Sequence, residues 1–301
     1  MSKTVVLILL ACSAALAQSS ALRQLGYSAD TKLLILHADD LAVAHSVDQA
    51  SFTALDGRAV SSASIMVPCP WLTEVAAYAK THLDADLGLH LTLTSEWKNY
   101  RWGPVAHGNM PGLTGADGYF WPDTPFVVKN ARPEEVYSEI RAQIERALTM
   151  GIRPTHLDSH MATLFTPAFF GEYVRAAREH GIPFFAPRIP GFPAAMSALL
   201  KDTDIEPDAV IMAGSNAKAD NWREFYANAI RSLKPGLTQI IVHLGRDDAE
   251  LQAITESHPD YGSAWRQRDF NVVTSPEFKE LLRQNHVKLI GWRDIKKVWK
   301  P

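Results

Sequence analysis

Cysteine is scarce in this 301-residue sequence, and no hydrophobic run beyond the N-terminal residues is long enough to indicate a membrane span. The two cysteines are Cys12 and Cys69. If Cys12 is removed with the N-terminal segment, the remaining cysteine can form neither an internal disulfide nor a cysteine-rich metal site. We expect Cys69 to be a small buried hydrophobe. A chain of this length can bury a large core without disulfide or metal staples.

An excess of charge of one sign is also missing. The chain has 30 Lys and Arg residues against 33 Asp and Glu residues, a formal net charge of −3, and no basic patch that could neutralise phosphates. This balance argues against a dedicated nucleic-acid binder. No Gly-x-Gly-x-x-Gly or P-loop pattern follows the first predicted strand, which disfavours dinucleotide and nucleotide binding.

Residues 1–17 have the layout of a secretory signal peptide. A single positive charge precedes the apolar run Val5–Leu10, and Ala15–Ala17 supplies the small-residue cleavage pattern. The apolar run is too short to span a bilayer. We therefore expect a secreted or periplasmic protein whose residues 18–301 form one domain. A lipoprotein signal, with a lipid anchor on Cys12, and retention of the segment are the alternatives.

Short apolar runs alternate with helical segments in the rest of the chain. The predicted strands are Lys32–His37, Ser61–Val67, Leu87–Leu93, Thr155–Asp158, Pro183–Ala186, Ala209–Met212, Gln239–Leu244 and Val287–Ile290. The predicted helices are Ser46–Leu55, Leu72–His82, Pro133–Met150, Pro167–His180, Asn221–Leu233 and Pro276–Gln284. The clearest amphipathic pattern is that of Pro133–Met150, which has Pro near its start and Gly151 just past its end.

This alternation predicts an α/β fold with parallel strands. Roughly eight strand–helix units favour a single (β/α) barrel, TIM-barrel-like and irregular, over an open doubly wound sheet. The segment Thr94–Arg132, rich in Gly, Pro and Trp, is too long for an ordinary connection. We expect it to be an insertion after the third strand, and long insertions in compact domains are usually functional.

Candidate catalytic residues stand where the predicted strands end. They are Asp39 and Asp40 after the first strand, His90 in the third, His156, Asp158 and His160 at the end of another, and His243 near the end of Gln239–Leu244. In a parallel barrel the C-terminal ends of the strands open on one face, so these residues can surround one point. Two or three imidazoles with a carboxylate form a ligand set for zinc or a similar divalent ion. An open coordination position leaves room for water and for a substrate oxygen.

Each candidate also has a purely structural explanation. Adjacent acids such as Asp39 and Asp40 are common at helix N-termini, where they interact with the helix dipole. A lone histidine in an apolar strand, such as His90 or His243, is more often a hydrogen-bonded core residue. His156 could simply order the neighbouring loops together with Asp158. Because every one of them falls where a strand meets a loop, we favour a shared metal site.

Together the motifs resemble the YdjC-like carbohydrate deacetylase family, which includes chitooligosaccharide deacetylases and is distantly related to the polysaccharide deacetylases. The resemblance runs from about Lys32 to Trp292. It rests on the segments His37–Leu41 (HADDL), Gly57–Ser64 (GRAVSSAS), Asp86–Leu93 (DLGLHLTL), Pro154–His160 (PTHLDSH) and Val242–Gly245 (VHLG). The combination of Thr155–His160 with the early Asp-Asp pair is the specific part, since any one segment alone would be weak.

The resemblance implies a metal-dependent hydrolase that removes acetyl groups from N-acetylated mono- or oligosaccharides, with one divalent ion, Mg²⁺ or Zn²⁺. Matched by position, Asp40, His90 and His160 are similar to the Asp-His-His metal triad of the family. Asp39 is similar to the general base that activates the metal-bound water. His243 is similar to the general acid that protonates the departing amine.

Three further residues are candidates for the site, either because they match the family or because they stand next to residues that do. Arg188 is similar, in a looser match, to an arginine of the active-site loop, and we expect it to bind substrate. His156 and Asp158 are expected to orient the metal ligands from behind. Neither nucleic acid nor a membrane span is expected, and the oligomeric state stays open.

The sequence departs from the family pattern at three places next to these residues. Leu41-Ala42 follows the Asp-Asp pair where an aromatic or Leu and then Gly is usual. Met161–Thr163 stands where further histidines often follow, and Leu244 replaces a proline. No proposed ligand or catalyst is lost, but these neighbours shape the pocket, so the identity of the sugar stays open.

Two other classes of protein stay open. One is a different metallohydrolase on a similar barrel, such as an amidohydrolase, an esterase or a phosphoesterase. Those enzymes commonly carry His-x-His near the first strand, whereas His37-x-Asp-Asp stands here and favours the deacetylase. The other is a catalytically silent, secreted sugar-binding protein, which the presence of every proposed catalytic residue disfavours.

Aromatic residues are concentrated in the insertion and in the polar run Asp247–Asn271 that follows His243. They are Trp97, Tyr100, Trp102, Tyr119, Phe120, Trp121, Tyr261 and Trp265. Their rings either stack on sugars at the mouth of the barrel or pack the insertion against it, and we favour packing. We expect the polar run to be a lid over the pocket or a solvated loop.

Overall fold

Seven parallel strands form one curled sheet, and helices pack against it. The computed structural model describes residues 19–108, 110–186, 193–214 and 217–301. The strands are Lys32–Leu41 (β1), Ser62–Ile65 (β2), Leu87–Leu91 (β3), Leu157–Ser159 (β4), Ala209–Met212 (β5), Gly236–His243 (β6) and Val287–Leu289 (β7). The predicted signal peptide and the alternative lipid anchor on Cys12 concern residues 1–17, which lie outside the described residues.

Strand β1 is the centre of the sheet. The hydrogen-bonded order in the described residues is β4-β3-β2-β1-β6-β5. Strand β6 pairs with β1 from Lys32 to Asp39. Strands β7 and β2 therefore share the other edge of β1, with β7 beside Lys32–Leu34 and β2 beside His37–Leu41. Residues Leu33–Leu36 of β1 are at most 1% exposed and form the middle of the core.

The predicted α/β class with parallel pairing is confirmed, and the sheet has the shape of a half-barrel. Among the described residues no ladder joins β4 to β5, so the strands seen here do not close a barrel. The predicted strand Pro183–Ala186 forms a single bridge, from Phe184 to Leu157, rather than a ladder. Because all strands run in one direction, their C-terminal ends meet at one edge of the sheet.

Twelve α-helices lie in the described part of the chain. They are Ser20–Gln24 (α1), His45–Asp56 (α2), Leu72–Thr81 (α3), Thr124–Asn130 (α4), Pro133–Thr149 (α5), Phe170–Glu179 (α6), Ala194–Ser197 (α7), Trp222–Ser232 (α8), Ala249–Ile254 (α9), Ser263–Val273 (α10), Pro276–Gln284 (α11) and Trp292–Val298 (α12). The predicted helices are confirmed to within one residue except α6, which begins at Phe170 rather than Pro167. No helix in these ranges is both long enough and apolar enough to cross a membrane.

The long connection between β3 and α5 is tied to α5 by buried carboxylates. The backbone N–H groups of Val105 and Ala106 donate to Glu139 at 2.9 and 2.8 Å, and that of Gly112 donates to Glu135 at 3.1 Å. Burial raises the pKa of Glu139 despite these donors. The connection is therefore a packed part of the domain, and it includes α4.

Three aromatic rings of this connection pack inside the protein, and Tyr100 and Trp121 are partly buried against the core. Trp97, Trp102 and Phe120 are buried, whereas Tyr119 is exposed. This agrees with the packing interpretation for the three buried rings. The prediction for Cys69 is also confirmed, since its thiol is buried and unpaired.

The expectation of a solvated loop over Asp247–Asn271 is wrong. This run contains α9 and most of α10. Its charged residues Arg266 and Asp269 are buried. Their burial is possible because each forms hydrogen bonds with polar groups of the interior. Polar composition alone therefore did not indicate α10, a helix that buries two of its charged side chains against the rest of the protein.

Asp86 precedes β3 and connects three distant segments at the N-terminal end of this strand. Its loss should destabilise the fold. It accepts hydrogen bonds from the Thr155 hydroxyl and from the backbone N–H of Arg293 in α12, the latter at 2.7 Å. We expect Asp86→Ala to lower the free energy of unfolding by about 2 kcal/mol, because the buried Thr155 hydroxyl and the partly buried N–H of Arg293 both lose their acceptor. Urea denaturation measures this, with the exposed neighbour Asp84→Ala as control. Equal stability of the two variants would contradict the assignment.

Candidate active site

The end of β1 delivers two consecutive acids to the same place. In a regular strand neighbouring side chains point to opposite faces. Here the register with β2 shifts between Ala38 and Leu41, and Asp40 has a φ of 71°. Such an irregularity re-aims side chains. The carboxylates of Asp39 and Asp40 both approach His90, with oxygens 3.8 and 3.4 Å from its Nε2 atom.

Asp40, His90 and His160 form a candidate metal triad, as the sequence predicts. Asp40 Oδ1 lies 3.4 Å from His90 Nε2 and 3.4 Å from His160 Nδ1. All three side chains are buried, and Oδ1 has no hydrogen-bond partner. An unpaired carboxylate oxygen in the interior is costly. A divalent cation bound by this oxygen and the two imidazoles would satisfy it, so the residues fit a metal ion.

The other nitrogen of each imidazole is held by an acid. His90 Nδ1 lies 2.7 Å from Asp158 Oδ1, its neighbour on β4. His160 Nε2 lies 3.1 Å from Glu96 Oε2. Carboxylates in this position fix the orientation of a ligand ring. Burial opposes a charge on His160, but the carboxylates of Glu96 and Asp40 outweigh it and raise its pKa to about 10.

His37 lies between two of the acids. Its Nε2 atom is 3.0 Å from Asp158 Oδ2 and 3.1 Å from Asp39 Oδ1, and its Nδ1 atom is 2.6 Å from the Ser62 hydroxyl. Burial disfavours the charged ring, but the bonds to Asp158 and Asp39 raise the pKa of His37 to about 10. His37 therefore places a positive charge between the carboxylates of Asp158 and Asp39.

His156 supports Asp158 mainly by packing. A Cβ atom on Gly88 would lie 2.3 Å from His156 Cε1, so only glycine leaves room for this ring. The ring stacks on Trp292 with centroids 4.9 Å apart. Its Nε2 atom lies 3.6 Å from Asp158 Oδ2, longer than a hydrogen bond. Burial lowers the pKa of His156, which favours the neutral ring.

Two other groups in the described residues have the composition of metal ligands. They are His37 with His156 and Asp158, and Asp39 with His90 and Asp158. Both use Asp158, whose two oxygens already bond His90 and His37. The triad of Asp40 is the better candidate because the Oδ1 atom of its carboxylate accepts no hydrogen bond from the described residues.

Asp39 and His243 lie beside the triad and are neighbours in the β1–β6 ladder. Asp39 Oδ1 is near His37 and lies 3.5 Å from the Ser64 hydroxyl. Its Oδ2 atom accepts no hydrogen bond from the described residues and is 3.9 Å from His243 Nε2. Burial, only partly offset by Asp40 and Asp39, lowers the pKa of His243 to about 4. The imidazole of His243 is therefore neutral at pH 7 in this arrangement.

Two charged residues of the site received no role from the sequence. Arg266 donates from Nη2 to Asp40 Oδ2 at 2.6 Å, across 226 residues of chain, and Glu96 binds His160. Neither carries a local signal, because Arg266 lies in a polar run and Glu96 in the long connection. Arg188, the predicted substrate contact, lies outside the described residues.

Backbone strain is concentrated at this site. Eight non-glycine residues in the described ranges have left-handed φ angles, and five lie here: Asp40, Ala42, Met161, Ala162 and Tyr261. Such conformations cost roughly 1–3 kcal/mol each. The N–H of Ala42 donates to the buried carboxylate of Asp48 at 2.6 Å, which secures the turn. Ala42 stands where the family pattern has glycine, the residue that adopts this φ at least cost.

Comparison with known proteins agrees with the motifs. The family model described as YdjC-like protein matches residues 33–284. The chain belongs to the YdjC-like family. A relative from Thermus thermophilus, named carbohydrate deacetylase, is 29% identical over 272 residues, which cover 88% of this chain and 94% of that one. A Geobacillus stearothermophilus relative of the same name is 30% identical over 269 residues, covering 88% and 98%.

A solved structure shares the fold of this YdjC-like protein. It is an Enterococcus faecalis protein with the provisional description of a cellobiose-phosphate cleavage protein. The TM-score is 0.72 at 24% sequence identity, and the match covers 88% of this chain and 99% of that one. The curled parallel sheet is thus a fold that is also found in a solved protein.

Metal binding to this site should strengthen as the pH rises. His160 is protonated below its pKa of about 10 in the metal-free protein, and a metal ion binds only the neutral imidazole. We expect the apparent affinity for Zn²⁺ to rise about tenfold per pH unit between pH 6 and 7.5 for each proton released. Calorimetry in buffers of different ionisation enthalpy counts the protons. The exposed His107→Asn is the control, and a pH-independent affinity would contradict the assignment of His160.

Proposed function

We propose that this YdjC-like protein is a metal-dependent carbohydrate deacetylase that hydrolyses the acetamide group of an N-acetylated mono- or oligosaccharide. One observation carries the proposal: the unpaired Asp40 Oδ1 faces His90 and His160 beside the free carboxylate oxygen of Asp39. The names of the Thermus and Geobacillus relatives, which match nearly their whole length, support the sugar substrate and the reaction.

Asp40, His90 and His160 would hold the ion. When bound, a divalent ion polarises the acetyl carbonyl and lowers the pKa of a water molecule. Two imidazoles and one carboxylate suit Zn²⁺ better than Mg²⁺, which prefers oxygen ligands. Asp158 and Glu96 turn the two rings so that one nitrogen of each faces Asp40.

Asp39 serves as the general base. Its Oδ1 atom is held by His37 and Ser64, which leaves Oδ2 to accept a proton from the water that attacks the acetyl carbon. The contact with His37 orients this carboxylate, since His37 Nε2 lies 3.1 Å from Asp39 Oδ1. As the new C–O bond forms, the carbonyl oxygen gains negative charge, and the proton of the water moves to Asp39 Oδ2.

His243 returns the proton to the substrate nitrogen. Its low pKa means that the neutral ring must gain a proton before it can donate one. The source is Asp39, since Oδ2 lies 3.9 Å from His243 Nε2 and a small movement brings the two atoms together. The C–N bond then breaks as the oxyanion re-forms the carbonyl and the nitrogen takes this proton. The products are the amino sugar and acetic acid, which loses its proton to water and leaves as acetate.

Two further features of the sequence complete the proposal. Arg188 is proposed to bind the substrate. Residues 1–17 are proposed to direct export, which would place the enzyme where it meets sugars outside the cytoplasm.

Acetate release from N-acetylglucosamine oligomers tests this function. We expect chelator-treated protein to release no acetate. Addition of Zn²⁺ or Co²⁺ should restore acetate release. Asp40→Asn should lose both bound metal and turnover, as should His90→Ala and His160→Ala. Asp39→Asn should keep the metal and lose turnover by about 10²–10⁴-fold, because only the base is removed.

The control is Asp84→Asn, an exposed acid away from the site that should behave as wild type. Full activity of Asp39→Asn would show that another group is the base. Tight metal binding without acetate release from any N-acetylated sugar would overturn the substrate assignment. A wider screen of amides and esters, and of sugar binding without turnover, would then separate the other classes.

A further inference from the structure

Helix α10 brings two buried charged residues to the back of the site. Arg266 and Asp269 are 2% and 1% exposed, although both belong to a polar stretch of sequence. They are three residues apart, so they lie on the same face of the helix. That face packs against β6, the strand that ends in His243, and against α8.

Arg266 fixes one oxygen of the Asp40 carboxylate and leaves the other free. Its Nη2 atom donates to Asp40 Oδ2 at 2.6 Å, and its Nε atom donates to the Tyr261 carbonyl at 2.6 Å. With Oδ2 held in this way, Oδ1 points between His90 and His160, 3.4 Å from a nitrogen of each. Two bonds from one planar guanidinium therefore determine how Asp40 meets the other two ligands.

Gly245, in the turn that follows β6, leaves room for the side chain of Arg266. A Cβ atom on Gly245 would lie 2.9 Å from Arg266 Cβ and 3.3 Å from its Cδ atom. The Trp97 ring lies 5.8 Å from the guanidinium carbon. The turn after β6 and the long connection after β3 both border the side chain, so its direction is fixed on two sides.

Asp269 seats the same helix on β6. Its Oδ2 atom accepts the backbone N–H of His243 at 2.9 Å. Its Oδ1 atom accepts from Trp222 Nε1 at 2.7 Å and from the Tyr226 hydroxyl at 2.6 Å. These bonds hold α10 in place but do not touch Asp40.

The ion pair of Arg266 is poorly suited to a purely stabilising role. Burying a guanidinium is costly, and a buried pair repays the cost only when its remaining donors are satisfied. Arg266 Nη1 is buried without a partner. A positive charge beside a cation site also repels the cation, so its value to the site must lie in geometry.

We propose that Arg266 is a positioning residue for the metal site. By holding Asp40 Oδ2, it presents Oδ1 to the ion together with His90 and His160. The inference rests on the proposed function in taking these three residues as the metal ligands. It assigns the polar segment after His243 a part in metal binding.

The test is the affinity of the metal-free protein for Zn²⁺, measured by competition with a chelating dye. We expect Arg266→Met to weaken binding about tenfold or more, as loss of a partner behind a metal ligand generally does. Arg266→Lys keeps the charge but cannot make both bonds, so it should also bind more weakly than wild type. Charge repulsion alone predicts the opposite, tighter binding by Arg266→Met. Equal or tighter binding by that variant overturns the proposal.

Two variants of the same helix control for stability. Arg268→Met removes a half-buried arginine of the same helix, whose guanidinium carbon lies 4.8 Å from the centre of the Trp222 ring, and should leave the affinity unchanged. Asp269→Asn disturbs the seat of α10 and should lower the resistance to urea while keeping the affinity. If Asp269→Asn weakens Zn²⁺ binding as much as Arg266→Met, the role of Arg266 is general packing and the proposal fails. If Arg266→Met does not fold, Arg266→Lys decides, and wild-type affinity there overturns the proposal.

The measurement separates this inference from the proposed function. Wild-type protein that binds Zn²⁺ but releases no acetate would overturn the deacetylase and leave the role of Arg266 intact. Wild-type protein that binds no Zn²⁺ would overturn both.

Discussion

The buried carboxylate of Asp40 is the group on which the site depends. An ionised acid in the interior must be paired on both oxygens or its burial is very costly. Arg266 pairs one oxygen, and the other is left for a cation that His90 and His160 would share. Because these residues come from β1, β3, the end of β4 and α10, one carboxylate couples distant parts of the fold. Burial acts to raise the pKa of Asp40, but the positive charge of Arg266 and the contact with His160 outweigh it and hold the pKa well below the usual range.

A second layer of charges surrounds Asp40 and decides where protons reside. Asp158 and Glu96 face the outer nitrogens of the ligand rings, and His37 lies between Asp158 and Asp39. Burial lowers the pKa of both His37 and His243. Hydrogen bonds to Asp158 and Asp39 outweigh this for His37 and raise its pKa to about 10, whereas the more distant acids beside His243 leave its pKa at about 4. One pocket thus contains a charged and a neutral imidazole, the kind of difference that acid–base chemistry needs.

Much of this arrangement could be predicted because parallel strands bring their ends together. The triad could be proposed because its three residues stand at predicted strand ends and match the family motifs. The structure brings Asp40, His90 and His160 together. The half-barrel, Arg266 and Glu96 could not be predicted. Closure of a sheet depends on pairing between distant strands, and Arg266 meets Asp40 across 226 residues. Helix α10 buries the charged residues Arg266 and Asp269, so its sequence lacks the simple apolar stripe from which an amphipathic helix is predicted. The bulge that turns Asp40 beside Asp39 likewise depends on the register with β2.

The central claim is that Asp40, His90 and His160 hold one metal ion. Crystals of the protein soaked with Zn²⁺ and measured at the zinc absorption edge test it most directly. The account predicts one strong anomalous peak at coordinating distance from Asp40 Oδ1, His90 Nε2 and His160 Nδ1. A peak among His37, His156 and Asp158 instead, or no ordered peak at a saturating concentration, would contradict it.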